Sequence, residues 1–335
     1  MEKITIGNSK IGPGEQTFII AEAGLNHDGD FTAAKKLVIA ASKTGADVVK
    51  FQIFKTENFI SEDEEYFDLF KSLEFTQDEW SELANLAEDK EIIFSASVFD
   101  EESAEILNDI GAPLYKISSG DLTHIPLLDY VSKKNLPVIL STGIATIGEI
   151  EESLNNMYKS GNQQIALMHC VSNYPTKYED TNLSVIKNLK EIFNIPVGFS
   201  DHTTGVLIPS LAVAKGADII EKHFTLNKNL PGPDHKLSLD PVEFEQMVKN
   251  IRITESALGD GVKKITGKEE EMKGLGRRSI TSTADIHKGE KISKDKIKIL
   301  RPGTGIEPKY IDFVVGKTAS KDIKKNQTIN WDLIC

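Results

Sequence analysis

The chain has 335 residues, 39% hydrophobic and 27% charged, which excludes a disordered chain and suits one large domain or two unequal ones. Its 39 basic and 51 acidic residues leave a net charge of −12 with no basic block, which excludes a general nucleic-acid binder. An anionic small molecule would need lysines or arginines gathered in one cleft.

No apolar run approaches the ~20 residues that cross a bilayer, and the first residues carry no secretory core, so no membrane partner is expected. Cys170 and Cys335 have no metal-ligand spacing and fit a reducing, cytoplasmic location.

Eight short apolar runs follow in chain order: 17–24, 47–52, 92–97, 114–119, 137–142, 165–170, 196–201 and 219–224. They are almost continuously hydrophobic, as parallel strands buried on both faces are. Helical patterns separate them. Residues 31–43 place Phe31, Ala34, Leu37, Val38 and Ala41 on one face behind an Asp30 cap. Residues 101–109 follow Asp100, and residues 241–258 open with Asp240-Pro241 and stop at Gly259. Eight βα units over roughly 250 residues predict a (β/α)8 TIM barrel, with a doubly wound sheet as the competing architecture. The absence of a glycine-rich dinucleotide turn after the first strand favours the barrel. The barrel is expected over 1–262, a polar linker over 263–278, and a small β-rich domain over 279–335.

A barrel's active site lies where its strands end, and those ends are polar here. Solvation accounts for serines and threonines there. It does not account for Lys50 in VVKFQ and Lys116 in LYKISS, because an unpaired ammonium in a core costs several kcal/mol. Pairing with a barrel carboxylate is the bland reading of either lysine. Two lysines at matching depth, ringed by Ser97, Ser119, Ser141 and Ser200, predict a phosphate or carboxylate site. A Schiff-base lysine, as in an aldolase or lyase, is a third reading, and a sugar-binding barrel without chemistry a fourth. His202 and His223 fall on adjacent strands ~4.8 Å apart and could share a divalent metal or serve as structural hydrogen-bonders; Glu221 faces the same side. Glu22 reads as a base, a hydroxyl acceptor or the partner of Lys50. Asp234, in the rigid loop LPGPDH, could bind hydroxyls or cap a turn.

The segments AEAGLNHDGD (21–30), VVKFQ (48–52), YKISSGD (115–121), ILSTGIA (139–145), HCVSNYPT (169–176), GFSDHT (198–203), EKHFTL (221–226) and PGPDHKLSL (231–239) together resemble the sialic acid synthase family. RRSI (277–280) and RPGTGI (301–306) resemble that family's C-terminal antifreeze-like (SAF) domain. The resemblance implies condensation of phosphoenolpyruvate with N-acetylmannosamine or a related N-acetylated amino sugar, with phosphate leaving by C–O cleavage. It implies that His202 and His223 bind Mn2+ or Mg2+ with Glu221 close by, and that Lys50, Ser97, Lys116, Ser119, Ser141 and Ser200 hold phosphoenolpyruvate. Ser172 stands where some members carry an asparagine near the phosphate. Glu22, Asp121, Tyr174 and Asp234 match positions around the sugar, and Arg301 an arginine delivered across a domain-swapped homodimer. Legionaminic and pseudaminic acid synthases, which take diacetamido-trideoxyhexoses, are the alternatives within the family; a short 52–79 segment argues against the pseudaminic type.

Overall fold

The computed structural model describes residues 2–335. Residue contacts divide the chain after Gly259 into two units.

The first unit opens with an antiparallel hairpin, β1 (Ile4–Ile6) and β2 (Ser9–Ile11). The barrel strands are β3 (Phe18–Gly24), β4 (Val48–Ile53), β5 (Ile93–Val98), β6 (Tyr115–Ile117), β7 (Val138–Ser141), β8 (Ile165–Cys170), β9 (Val197–Asp201) and β10 (Ile219–His223). All eight pair in parallel, and β10 closes the barrel onto β3. Each coincides with a predicted run to within one or two residues at either end. Helix caps fall where the sequence placed them: the Asp30 side chain accepts from Thr32 N, and Asp100 and Asp240 each complete a capping box.

Period-two alternation produces two layers inside the barrel. The lower layer contains Phe18, Ile20, Val48, Leu114, Ile139, Ala166, Met168 and Ile219, and Ile4, Ile6 and Ile11 of the hairpin pack with it. The hairpin closes that end with apolar surface, an element too short to be expected from sequence. Two residues further along several of the same strands, the inward positions become Glu22, Lys50, Lys116, Ser141 and Glu221. The outward positions, such as Ile19, Val49, Phe51 and Leu140, pack in the larger core beneath the helices. Between β4 and the helix Gln77–Asp89, two short helices, Thr56–Phe59 and Phe67–Leu73, were not predicted.

The second unit, Asp260–Cys335, corrects the expected linker. Residues Gly267–Gly276 form a helix, begun by a capping box between Thr266 and Glu269. Its run of Lys, Glu and Met favours a helix despite the glycines that suggested a flexible tether. Beyond it, β11 (Ser279–Ser282) pairs antiparallel with β12 (Ile297–Leu300). Ile280, Ile286, Ile292, Ile297, Ile306, Ile323 and Ile329 form its core with Val314, Ala319 and Leu333.

Gly198 in β9 leaves no room for a side chain between its neighbours in the lower barrel. A Cβ there would overlap Met168 Sδ and lie 2.6 Å from the backbone oxygen of Ile219. Gly198→Ala should therefore cost about 3 kcal/mol, the upper end of overpacking costs. Urea unfolding measures it, and a loss under about 0.5 kcal/mol would contradict this packing.

Candidate active site

The upper layer surrounds a cavity of about 410 Å³ at the C-terminal ends of the strands. Lys50 and Lys116 both reach it and both are buried, 2% and 3% exposed. Lys50 Nζ lies 2.5 Å from Glu22 Oε2 and 3.5 Å from Glu221 Oε2, and donates to Ser97 Oγ at 2.9 Å. Lys116 Nζ donates to Ser141 Oγ at 2.7 Å and to the carbonyl of Ile117 at 3.2 Å. Its nearest carboxylate oxygen, Glu221 Oε1, is 3.9 Å away, beyond hydrogen-bond reach. The two lysines are thus unequal: Lys50 is saturated, and Lys116 keeps charge to offer.

The carboxylates are unequal too. Burial pushes Glu22 up to about 7 against the pull of Lys50. Burial would also raise Glu221, but the charges of Lys116 and Lys50 and the Ser200 hydroxyl overcome it and hold that group at about 2. Ser200 Oγ donates to Glu221 Oε1 at 2.9 Å, and Gln52 Nε2 donates to Glu22 Oε1 at 3.3 Å. A lysine that burial depresses, as it does Lys116, beside a fixed Glu221 carboxylate makes a mixed-charge floor suited to a dianion with its own proton chemistry.

Ser119, Ser172 and Cys170 line one corner. Ser119 Oγ accepts from Gly143 N at 3.0 Å and lies 3.1 Å from Cys170 Sγ. A Cβ at residue 143 would overlap Ser172 Oγ and come within 2.7 Å of Ser119 Oγ, so glycine keeps this corner open.

His202 and His223 face each other, ring centroids 5.6 Å apart. His202 Nδ1 donates to the carbonyl of Val171 at 2.8 Å, which leaves Nε2 with a lone pair, 3.3 Å from Ser200 Oγ. Burial lowers the basicity of both rings, and His223 Nδ1 is buried without a hydrogen bond, 3.7 Å from Asp234 Oδ2. Neutral imidazoles with an orphaned nitrogen suit a divalent cation. Among the described residues no group of three or more His, Cys, Asp or Glu side chains gathers to hold one, so water and substrate oxygens would have to complete the shell. A third buried strand lysine, Lys222, faces away from the cavity and pairs with Asp201 at 2.6 Å. Asp201 also accepts from Thr203 N, which fixes the turn bearing His202.

Tyr174 and Asp234 line the mouth, with the Tyr174 ring 4.2 Å from that of His202. One expectation needs correction. Asp121 does not line the cavity: it lies in the short 3-10 turn Ser119–Asp121 and accepts the Ser118 hydroxyl. Arg301 belongs to the second unit, where it is exposed after β12. Sequence reasoning missed the apolar wall of Leu25, Phe59, Phe70 and Phe99. Its only sequence signal was the density of phenylalanines between residues 54 and 75, on helices that were themselves not predicted.

The closed βα barrel buries lysines against carboxylates at its mouth, a site with the means for acid–base and electrostatic chemistry. Residues 37–263 match the NeuB family and residues 277–334 the SAF domain. The chain belongs to the NeuB family and is an enzyme of the sugar-acid-synthase type. It is 42% identical to the N,N'-diacetyllegionaminic acid synthase of Legionella pneumophila over 95% of this chain and 94% of that protein. It is 36% identical to the pseudaminic acid synthase of Helicobacter pylori over 94% and 96%. The crystal structure of an N-acetylneuraminic acid synthetase from Leptospira borgpetersenii, in complex with citrate, shares 40% identity at a TM-score of 0.77 over 81% of this chain and 94% of that one.

Between about pH 4.5 and 7 the native state holds a proton on Glu22 that the unfolded chain releases. The stability this proton provides is present below the unfolded value and is lost as pH rises through 7. Glu22→Gln should flatten the fall in Tm across that window; an unchanged slope would contradict the placement of Glu22.

Proposed function

We propose that the protein condenses phosphoenolpyruvate with the open-chain aldehyde of an N-acetylated amino sugar. The observation that carries this reading is Lys116: buried, hydrogen-bonded to Ser141, and without a carboxylate in hydrogen-bond reach. Of the two lysines in the floor it has the less carboxylate contact, and so the more charge left for an incoming phosphate or carboxylate.

Lys116, Lys50 and the hydroxyls of Ser97, Ser119, Ser141, Ser172 and Ser200 bind phosphoenolpyruvate and hold its C3 against C1 of the sugar. His202 and His223 would hold a divalent cation, Mn2+ or Mg2+, which supplies Lewis-acid polarisation of the aldehyde oxygen. The enol-ether carbon C3 bonds to C1, and positive charge develops at C2, where Glu221 and Glu22 face it across the floor. Water adds at C2 and gives one proton to the C1 oxygen. The C2 hydroxyl then loses its proton to the departing phosphate as the C–O bond breaks, leaving a 2-keto acid. Glu22 and Asp234 orient the sugar hydroxyls, and Tyr174 covers the His202 ring.

N-acetylmannosamine fits this chemistry and gives a sialic acid. The wall of Leu25, Phe59, Phe70 and Phe99 favours an acceptor with more methyl groups, a 2,4-diacetamido-2,4,6-trideoxyhexose, because a hydroxyl pressed on that wall loses water without gaining a partner. The name of the Legionella relative supports this preference. Arg301, carried by the second unit of a partner subunit in a domain-swapped homodimer, completes the sugar site; the exposed aromatics Tyr310, Phe313 and Trp331 of that unit support a partnered surface. Free Cys170 and Cys335 fit work in a reducing cytoplasm, and no helix is long and apolar enough to cross a membrane.

Metal-stripped protein given Mn2+, phosphoenolpyruvate and each sugar in parallel should release phosphate only when metal and one acceptor are both present. His223→Ala should abolish release while phosphoenolpyruvate still binds. Borohydride trapping of pyruvate on Lys116, with no phosphate release, would instead establish a Schiff-base enzyme, the chemistry that a depressed buried lysine also permits. Arg301→Ala should raise the KM for sugar about tenfold; a change in phosphoenolpyruvate affinity alone would contradict the role given to the second unit.

A further inference from the structure

The loop after β10 reaches the cavity through Pro233 and one acidic residue, Asp234, and something must hold that residue in place. His235, the next residue, is fully buried. Its Nε2 lies 2.9 Å from Asp28 Oδ2, and its Nδ1 lies 2.6 Å from Thr225 Oγ1. His235 is satisfied on both sides: Nε2–H donates to the Asp28 carboxylate, and Nδ1 bonds the Thr225 hydroxyl. Thr225 Oγ1 in turn accepts from Asn227 N at 3.2 Å. The three groups join the start of the loop, its far end and the β3–helix turn.

Neighbouring bonds point the same way. Asn26, also in the β3–helix turn and buried, donates its amide to Phe224 O and to Ser238 Oγ, both at 2.9 Å. Ser238 Oγ donates to the carbonyl of Asp234 itself at 2.6 Å, and Ser238 N donates to the same oxygen at 3.1 Å. The loop crosses the Asp28 carboxylate at Gly232, where a Cβ would overlap Asp28 Oδ1 and come within 2.8 Å of the His235 ring. The motifs LNHDG and PGPDH, far apart in sequence, are therefore two halves of one fastening. Neither Asp28 nor His235 lines the cavity.

We propose that Asp28, His235 and Thr225 form a latch that fastens loop 227–238 to the β3–helix turn and sets Asp234 against His223 at the acceptor end of the cavity. His235 and Asp28 are positioning residues, acting through Asp234. The assignment of Asp234 to the acceptor rests on the function proposed above; the latch itself does not.

Asp28 is partly exposed, so its replacement tests the latch without emptying a buried site. In the full-length protein, Asp28→Ala should raise the KM for the acceptor sugar about tenfold and leave the KM for phosphoenolpyruvate within twofold. Asp28→Asn keeps an oxygen to accept from His235 Nε2–H and should restore the sugar KM. In the free protein, amide hydrogen exchange over residues 227–238 should rise at least fivefold in Asp28→Ala and return in Asp28→Asn, with unchanged Tm. Parallel rises in both KM values, or exchange in the loop that ignores Asp28, would overturn the latch. Normal exchange behaviour in a protein that condenses no sugar would leave the latch standing and overturn the functional reading.

Discussion

Four ionisable side chains buried in a small space constrain the rest of this protein. Lys50, Lys116, Glu22 and Glu221 each lose the hydration that makes a charge cheap in water, and mutual attraction recovers it only if the geometry is held. The geometry is held by strands. Glu22 and Lys50 are register partners across β3 and β4, and Ser97 and Lys116 across β5 and β6. Each side chain is aimed by a backbone that has no freedom to turn it elsewhere. The set is uneven in contact, since Lys50 takes most of the carboxylate contact and Lys116 takes little. That unevenness is what the proposed function rests on: the loosely paired Lys116 is the group assigned to meet an anion.

The same alternation that aims the charges divides the barrel in two. Below, isoleucine, leucine, valine and methionine fill the interior, and the N-terminal hairpin seals it with three more isoleucines. Above, every second residue turns polar. The lower half provides the hydrophobic stabilisation that offsets the cost of the upper half, and helices such as Phe31–Ala41 and Pro241–Leu258 bury the outer strand faces. Loops then finish the cavity with what strands cannot supply: an aromatic wall from the 56–73 helices, and Asp234 on the loop pinned by His235.

The barrel was legible because strands buried on both faces leave unbroken apolar runs, and capping residues mark helix starts without reference to tertiary contacts. Lys50 and Lys116 were legible for the converse reason, as charges inside such runs. What escaped was whatever depends on contacts distant in sequence. Three-residue strands in the hairpin carry no period. The helix at Gly267–Gly276 hid behind glycines, although its Thr266–Glu269 capping box was visible. Asp121 was expected near the sugar from the family resemblance alone, but a local turn claims its carboxylate. The bland reading of the lysines holds for Lys50, which pairs closely with Glu22, and only loosely for Lys116, 3.9 Å from Glu221.

The central claim is that the spare charge of Lys116 is the anion receptor. Calorimetric titration of phosphoenolpyruvate into the wild-type chain and into Lys116→Met, with folding checked by circular dichroism, tests it most directly. The account predicts binding to the wild type and a loss of at least a hundredfold in the variant, which keeps the stem and removes the charge. Equal binding by a folded Lys116→Met protein would contradict it and move the anion site away from the barrel floor.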